Sequence, residues 1–106
     1  MADDVTEKAL EAVEVAKNTG KIKKGVNEAT KALERGTAKL VVYAKDVQPA
    51  ELTMHFPALA KEKEIPCIEV KSKEELGTAA GIGVPTTAVA VVNEGEAKKL
   101  IEEIKG

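Results

Sequence analysis

The sequence predicts an α/β fold in which a central sheet is covered by helices, and three observations carry that expectation. Short, wholly apolar runs rich in β-branched residues alternate with segments of helical periodicity, the pattern of strand and helix units that form an α/β sandwich with a largely parallel sheet. The chain has 106 residues, the size of one domain, and 1–106 is taken as a single domain. Apolar types make up 43% of it, yet Tyr43 and Phe56 are its only aromatic side chains. The core is therefore aliphatic and small, with little room for a large internal cavity.

Taken in order, Val5, Ala9, Leu10, Val13 and Ala16 recur at helical spacing and predict a helix over 4–17, with Asp4 and Glu7 placed as a capping-box pair. Gly20 breaks it, and Lys21-Ile22-Lys23-Lys24-Gly25 reads as a short basic connection. Val26, Ala29 and Leu33 form one stripe of a second helix that Gly36 ends. Residues 39–44 are a continuous apolar run and predict a strand buried on both faces. Pro49 and Pro57 stand where a first-turn proline is tolerated, so 50–55 and 58–63 read as two short helical pieces. A second strand is expected over 65–70. Ser72 and Glu75 fit a capping box for a helix running to about residue 80, with Gly81 suited to its left-handed end. Residues 88–92 predict a third strand. Asn93 and Glu96 repeat the capping pattern before Ala97, Leu100, Ile101 and Ile104, the apolar face of a last helix.

Composition excludes several function classes. One cysteine, Cys67, cannot close an intramolecular disulfide, and with a single histidine, His55, it cannot supply a structural zinc site, so no metal or cofactor is expected. Asp3 and Asp4 stand where a signal peptide carries positive charge, and no apolar run approaches the roughly 20 residues of a membrane span. The expected location is cytoplasmic, with no membrane partner and a monomeric free state. The net charge of -2 argues against a nucleic-acid binder held by bulk charge.

Position reverses that last inference. Between residues 17 and 35, Lys17, Lys21, Lys23, Lys24, Lys31 and Arg35 face only Glu28 and Glu34, so this segment carries +4 and the remainder -6. Such a basic stretch is either a solvated helix face or a phosphate-binding footprint. Asn27 and Glu28 follow Gly25 at a helix start, where free backbone N–H groups gather. Asn27, Lys31 and Arg35 share a face at i, i+4, i+8. A carboxylate repels phosphate, so Glu28 in a basic patch makes sense as an acceptor for base amino or imino groups, while Lys24 and Lys31 hold the backbone. The alternative is that Asn27 caps the helix and Glu28 complements its dipole. Gly81-Ile82-Gly83-Val84-Pro85-Thr86-Thr87 offers close backbone approach and two apolar side chains, either to a splayed-out nucleotide or to the edge of the sandwich. A competing class is a small nucleotide- or thiol-dependent enzyme using that loop or Cys67. The loop lacks a Gly-Lys-Ser/Thr ending, Cys67 reads as a small core hydrophobe, and His55 as a half-buried helix-end residue.

The run Lys23-Lys24-Gly25-Val26-Asn27-Glu28-Ala29-Thr30-Lys31-Ala32-Leu33-Glu34-Arg35-Gly36 resembles the signature of the archaeal large-subunit ribosomal protein family that binds kink-turn RNA. Eukaryotic box C/D and H/ACA core proteins are related to that family. Ala38 to Val42, Ala44 to Pro49, His55 to Leu59, Ile65-Pro66, Ser72 to Gly77 and Ala80-Gly81 continue the likeness in order, over roughly residues 8 to 104. It implies a three-layer α/β/α sandwich with a mixed four-stranded sheet, for which 22–24 is the candidate fourth strand. It further implies a non-enzymatic protein that recognises kink-turns and kink-loops in rRNA, box C/D and H/ACA guide RNAs and ribonuclease P RNA, beside other ribonucleoprotein core proteins. By the same likeness Asn27, Glu28 and Lys31 contact tandem sheared G·A pairs. Lys24, Gly25, Arg35, Gln48 and Lys73 support the RNA, and Ile82, Gly83, Val84 and Pro85 pack on the flipped-out nucleotide.

Overall fold

The computed structural model describes residues 2–45 and 54–105, with side chains from 6 to 45 and from 54 to 104. Its sheet has the strand order β1-β4-β2-β3, formed by β1 (Lys21–Lys24), β2 (Leu40–Ala44), β3 (Cys67–Val70) and β4 (Ala88–Asn93). The sheet is the mixed four-stranded one that the family likeness implies, which corrects the largely parallel sheet read from periodicity alone. Only β2 and β3 run parallel, with Val42 opposite Ile68, while β4 lies antiparallel between β1 and β2. Strand direction depends on which strands, distant in sequence, come to lie side by side, and the apolar run of a single strand does not specify that. The basic connection 21–25 is likewise corrected: its first four residues are edge strand β1, pairing Lys24 with Val89, as the family resemblance implied. Lysines on an edge strand guard it against unwanted pairing, so a charged run is compatible with strand structure there.

Alternation along β2 and β4 divides the interior into two layers. Leu40, Val42, Ala44, Val89 and Val91 face one way, toward α1 (Ala2–Thr19), α4 (Lys73–Ala79) and α5 (Lys98–Lys105). Val41, Ala88 and Ala90 face the other way, toward α2 (Val26–Glu34) and α3 (Phe56–Glu62). On this second side the seam between α2 and β4 is lined by alanines, Ala29 and Ala32 from the helix and Ala88 and Ala90 from the strand, all at most 5% exposed. Small side chains let helix and sheet approach closely and pack without voids.

Helix ends explain most boundary differences from the sequence expectations. α1 already includes Asp4, so that residue does not cap it. α3 begins at Phe56, with Pro57 in its first turn and Phe56 and Ala60 buried, two residues before the expected start. The helical piece expected over 50–55 lies largely outside the described residues, as do Pro49 and Gln48; Met54 and His55 form a turn. Ser72 caps α4 as expected, its hydroxyl accepting from Glu75 N–H at 3.1 Å. Three helices close alike: Gly36, Glu64 and Gly81 take positive φ after α2, α3 and α4, and the next residue donates back to Ala32, Ala60 and Gly77 respectively. The expected cap at Asn93 is corrected. Asn93 ends β4 and its Oδ1 accepts from Gly95 N–H, opening a 3₁₀ turn over Gly95–Ala97. Thr19 at the end of α1 binds Glu96 N–H at 2.9 Å, and α5 starts only at Lys98.

Candidate functional site

The mixed topology brings several chain segments to one end of the sheet. β1 ends there and hands over to α2, the antiparallel β4 starts there, and the parallel pair β2 and β3 ends there. Gly25 N–H bonds Ala88 O at 2.8 Å, and Ala44 N–H bonds Thr87 O at 2.9 Å, which ties the α2 start, the loop before β4 and the end of β2 together. The segment holding Gln48 follows Lys45 from this end, outside the described residues.

Gly25 is the residue on which the α2 start depends. Its φ of 101° is a conformation L side chains rarely adopt, and no atom lies within 4 Å of where a Cβ would sit. Gly25 is itself the N-cap, with no side chain bonded to the first turn. Asn27 therefore does not cap the helix, and its amide stays exposed together with Glu28, Lys31 and Arg35. The first intrahelical bond is Ala29 N–H to Gly25 O, which leaves the preceding N–H groups directed outward at the open end.

Two depressions meet at Glu28. One, of about 480 Å³, is lined by Lys24, Gly25, Val26, Asn27, Glu28 and Thr87. The other, of about 60 Å³ between β1 and α2, is lined by Lys23, Glu28, Lys31 and Arg35 together with Ala32, Thr37 and Val92. Among the described residues Glu28 pairs with none of these cations, and the ion pair between Lys8 and Glu103 lies elsewhere. A carboxylate left open among cations and free N–H groups is available to accept hydrogen bonds from outside. Lys23 is not among the site residues expected from the sequence, and Thr87 is named there only as the end of the 81–87 loop. The signal for Lys23 was present in strand periodicity, which places it on the α2 side of β1, but the lysine run masked the strand.

The loop over 81–85 is held against α4 rather than hanging free. Ile82 N–H bonds Gly77 O and Thr86 N–H bonds Lys73 O. A Cβ on Gly77 would collide with the carbonyl of Val84, so the loop seats directly on the helix backbone. The two apolar loop residues divide: Ile82 packs against the α1 and α4 layer, whereas Val84 is 61% exposed. Gly83, Val84 and Pro85 line a third depression with Glu74 and Thr78. Lys73 is exposed at the start of α4, beside this loop.

The residues considered for nucleophilic chemistry are placed differently. Cys67 is half-buried on edge strand β3, and burial together with nearby Glu69 pushes its thiol up to about 12. A thiol so held is protonated at neutral pH and is not an activated nucleophile. His55 is half-buried, its Nε2 2.9 Å from Thr30 Oγ1 of α2 and its ring centroid 4.5 Å from that of Phe56, so it serves as a strut between α2 and α3. Among the described residues no group of three His, Cys, Asp or Glu side chains could hold a metal ion, and no helix is long and apolar enough to cross a membrane.

This arrangement defines a class of small α/β/α sandwich that presents an open, backbone-lined and cationic end of its sheet in place of an enclosed cavity. The chain belongs to the Ribosomal protein L7Ae/L30e/S12e/Gadd45 family, which matches residues 7–101. It is also similar to the solved structure of a Giardia lamblia 15.5kD RNA binding protein, at 32% identity over 97% of this chain and 86% of that one, with a TM-score of 0.89.

Proposed function

We propose that this chain binds RNA, recognising the sharply bent kink-turn and kink-loop elements that carry tandem sheared G·A pairs and a flipped-out nucleotide. The observation that carries this reading is Glu28, exposed and unpaired among Lys23, Lys31 and Arg35 beside the open start of α2. A carboxylate there opposes simple phosphate binding and suits amino and imino donors on base edges, which sheared pairs present. Asn27, Glu28 and Lys31 read the pairs. Lys24, Gly25, Arg35, Gln48 and Lys73 hold the backbone, and the loop of Ile82, Gly83, Val84 and Pro85 receives the flipped nucleotide, with exposed Val84 as its apolar contact. Likeness to an RNA binding protein at 32% identity supports the same assignment.

RNA alone populates the bent form incompletely, and a protein that binds only that form shifts the population by its differential affinity. The RNAs that fit are those with such bends: rRNA, as in the archaeal large subunit, box C/D and H/ACA guide RNAs, and ribonuclease P RNA, each alongside other ribonucleoprotein core proteins. Mobility shift with a kink-turn RNA, against the same RNA carrying Watson–Crick pairs in place of the G·A pairs, tests the reading. Binding confined to the first is expected, whereas equal binding to both leaves only nonspecific electrostatics and sinks it.

A further inference from the structure

By sequence Lys17 counts with the basic run of 17–35, but the fold places it elsewhere, in the last turn of α1 against the end of α4. A helix C-terminus carries partial negative charge and is stabilised by a nearby cation. The last turn of α4 has no basic residue of its own. Lys17 supplies one from the neighbouring helix. Its Cδ, Cε and Nζ all stand so close to Gly81 that a Cβ there would collide with them, so the aliphatic stem lies across the glycine and the ammonium sits just past the α4 C-cap, Ala80. Lys17 makes no ion pair or hydrogen bond among the described residues, although Glu14, Glu74 and Glu75 line the same groove between α1 and α4.

Gly81 is the residue at which the chain turns from helix into loop. Its φ is 70°, its N–H bonds Thr78 O at 3.0 Å, and Ile82 N–H follows with a bond to Gly77 O. Whatever fixes this turn fixes the direction in which the next residues leave. We propose that Lys17 is a positioning residue for the loop that receives the flipped-out nucleotide: its stem covers Gly81 and its charge steadies the end of α4, which together aim Gly83, Val84 and Pro85. Lys17 itself does not line the depression formed by those three residues. It acts through the loop, so a third helix, α1, joins α2 and α4 in shaping the site. The proposal rests on the kink-turn reading and deepens it.

The test compares two kink-turn RNAs that differ at one position, the flipped-out nucleotide, which carries its base in one and is abasic in the other. With the base present, Lys17→Ala is expected to lower affinity about threefold. On the abasic RNA, which gives the loop no base to hold, the variant should match the wild-type protein. Lys17→Arg, which keeps both stem and charge, should retain wild-type affinity on both RNAs. The slope of log K against log salt should be the same for Lys17→Ala as for the wild type, since no phosphate contact is lost. A slope lowered by roughly 0.7 would make Lys17 a backbone contact and overturn the positioning role. Equal losses on both RNAs, no loss on either, or a wild-type protein indifferent to the missing base would overturn it too, each leaving recognition of the G·A pairs intact. Failure of the wild-type protein to prefer the kink-turn over its Watson–Crick counterpart would overturn the kink-turn reading itself.

Discussion

At the scale of single residues, charge count and charge position lead to opposite expectations, and Glu28 shows why position decides. A phosphate surface gains from every cation and loses from every acid, so on the proposed reading the unpaired carboxylate beside three cations is a specificity element. Glu28→Ala is expected to weaken kink-turn binding by about 1 to 3 kcal/mol and to narrow the gap between kink-turn and Watson–Crick RNA. Titrations of both RNAs with the variant measure this, and an unchanged gap would remove Glu28 from base recognition. Lys24→Ala should act differently, weakening all RNAs alike and lowering the salt slope by about 0.7 to 0.9. Both residues were legible because acids and bases are visible in sequence. Gln48 remains an expectation from the family likeness, since it lies outside the described residues. Lys23 was hidden inside a run of like residues, where only the pairing of β1 with β4 reveals which side each lysine takes.

Secondary elements follow from simpler rules, and their ends are where those rules can be checked. α3 closes like α2 and α4, but with Glu64 at φ 57° where the other two have glycine. A left-handed residue with a Cβ costs about 1 to 2 kcal/mol, partly offset because glycine loses more freedom on folding. Glu64→Gly should therefore raise stability by roughly 0.5 to 1 kcal/mol, read from the urea midpoint. A lowered midpoint would mean that the Glu64 side chain holds something the backbone geometry does not reveal. At α4 the opposite change is costly. A methyl at Gly77 meets the carbonyl of Val84, so Gly77→Ala must push the 81–85 loop outward. Its expected cost is about 1 to 3 kcal/mol of stability, together with weaker RNA binding once the displaced Val84 no longer meets the nucleotide. Unaltered stability and binding would show that the loop is not seated by this contact. The capping box at Ser72 could be read from sequence because its partners are three residues apart. The bond from Thr19 to Glu96 N–H, which closes the other end of the sandwich, could not, because 77 residues separate them.

For the molecule as a whole, an interior on both faces of the sheet was legible from the continuous apolar runs, and the mixed sheet only from the family likeness. Apolar runs predict buried strands whatever their direction, and direction is set by which strands meet. The pH response of stability is also a property of the packed whole. Burial and Glu69 hold both Cys67 and Tyr43 protonated up to about 12, against ordinary values of 9.0 and 10.0. At neutral pH both groups carry their protons whether the chain is folded or not and add no slope. Above about 9 the unfolded thiol ionises while the folded one does not, so the unfolded chain binds fewer protons and stability falls as pH rises, with Tyr43 adding to the fall above about 10. Urea midpoints between pH 8 and pH 11.5 should decline, and Cys67→Ala and Tyr43→Phe should each flatten that decline. A slope indifferent to both substitutions would assign it to other groups.

The alanine seam between α2 and β4 has a consequence for how this surface tolerates sequence drift. A contact already reduced to single methyl groups has almost nothing to give up, so nearly every substitution at Ala29, Ala32, Ala88 or Ala90 adds volume. Each added group acts as a shim under the helix, lifting α2, the base-reading arm in the proposed function, while the loop arm stays clamped to α4. Two surfaces that must grip one rigid object would then stand at the wrong spacing, although every residue touching that object is intact. Variants such as Ala90→Val should therefore pass as harmless aliphatic exchanges in an alignment and still fail as a caliper.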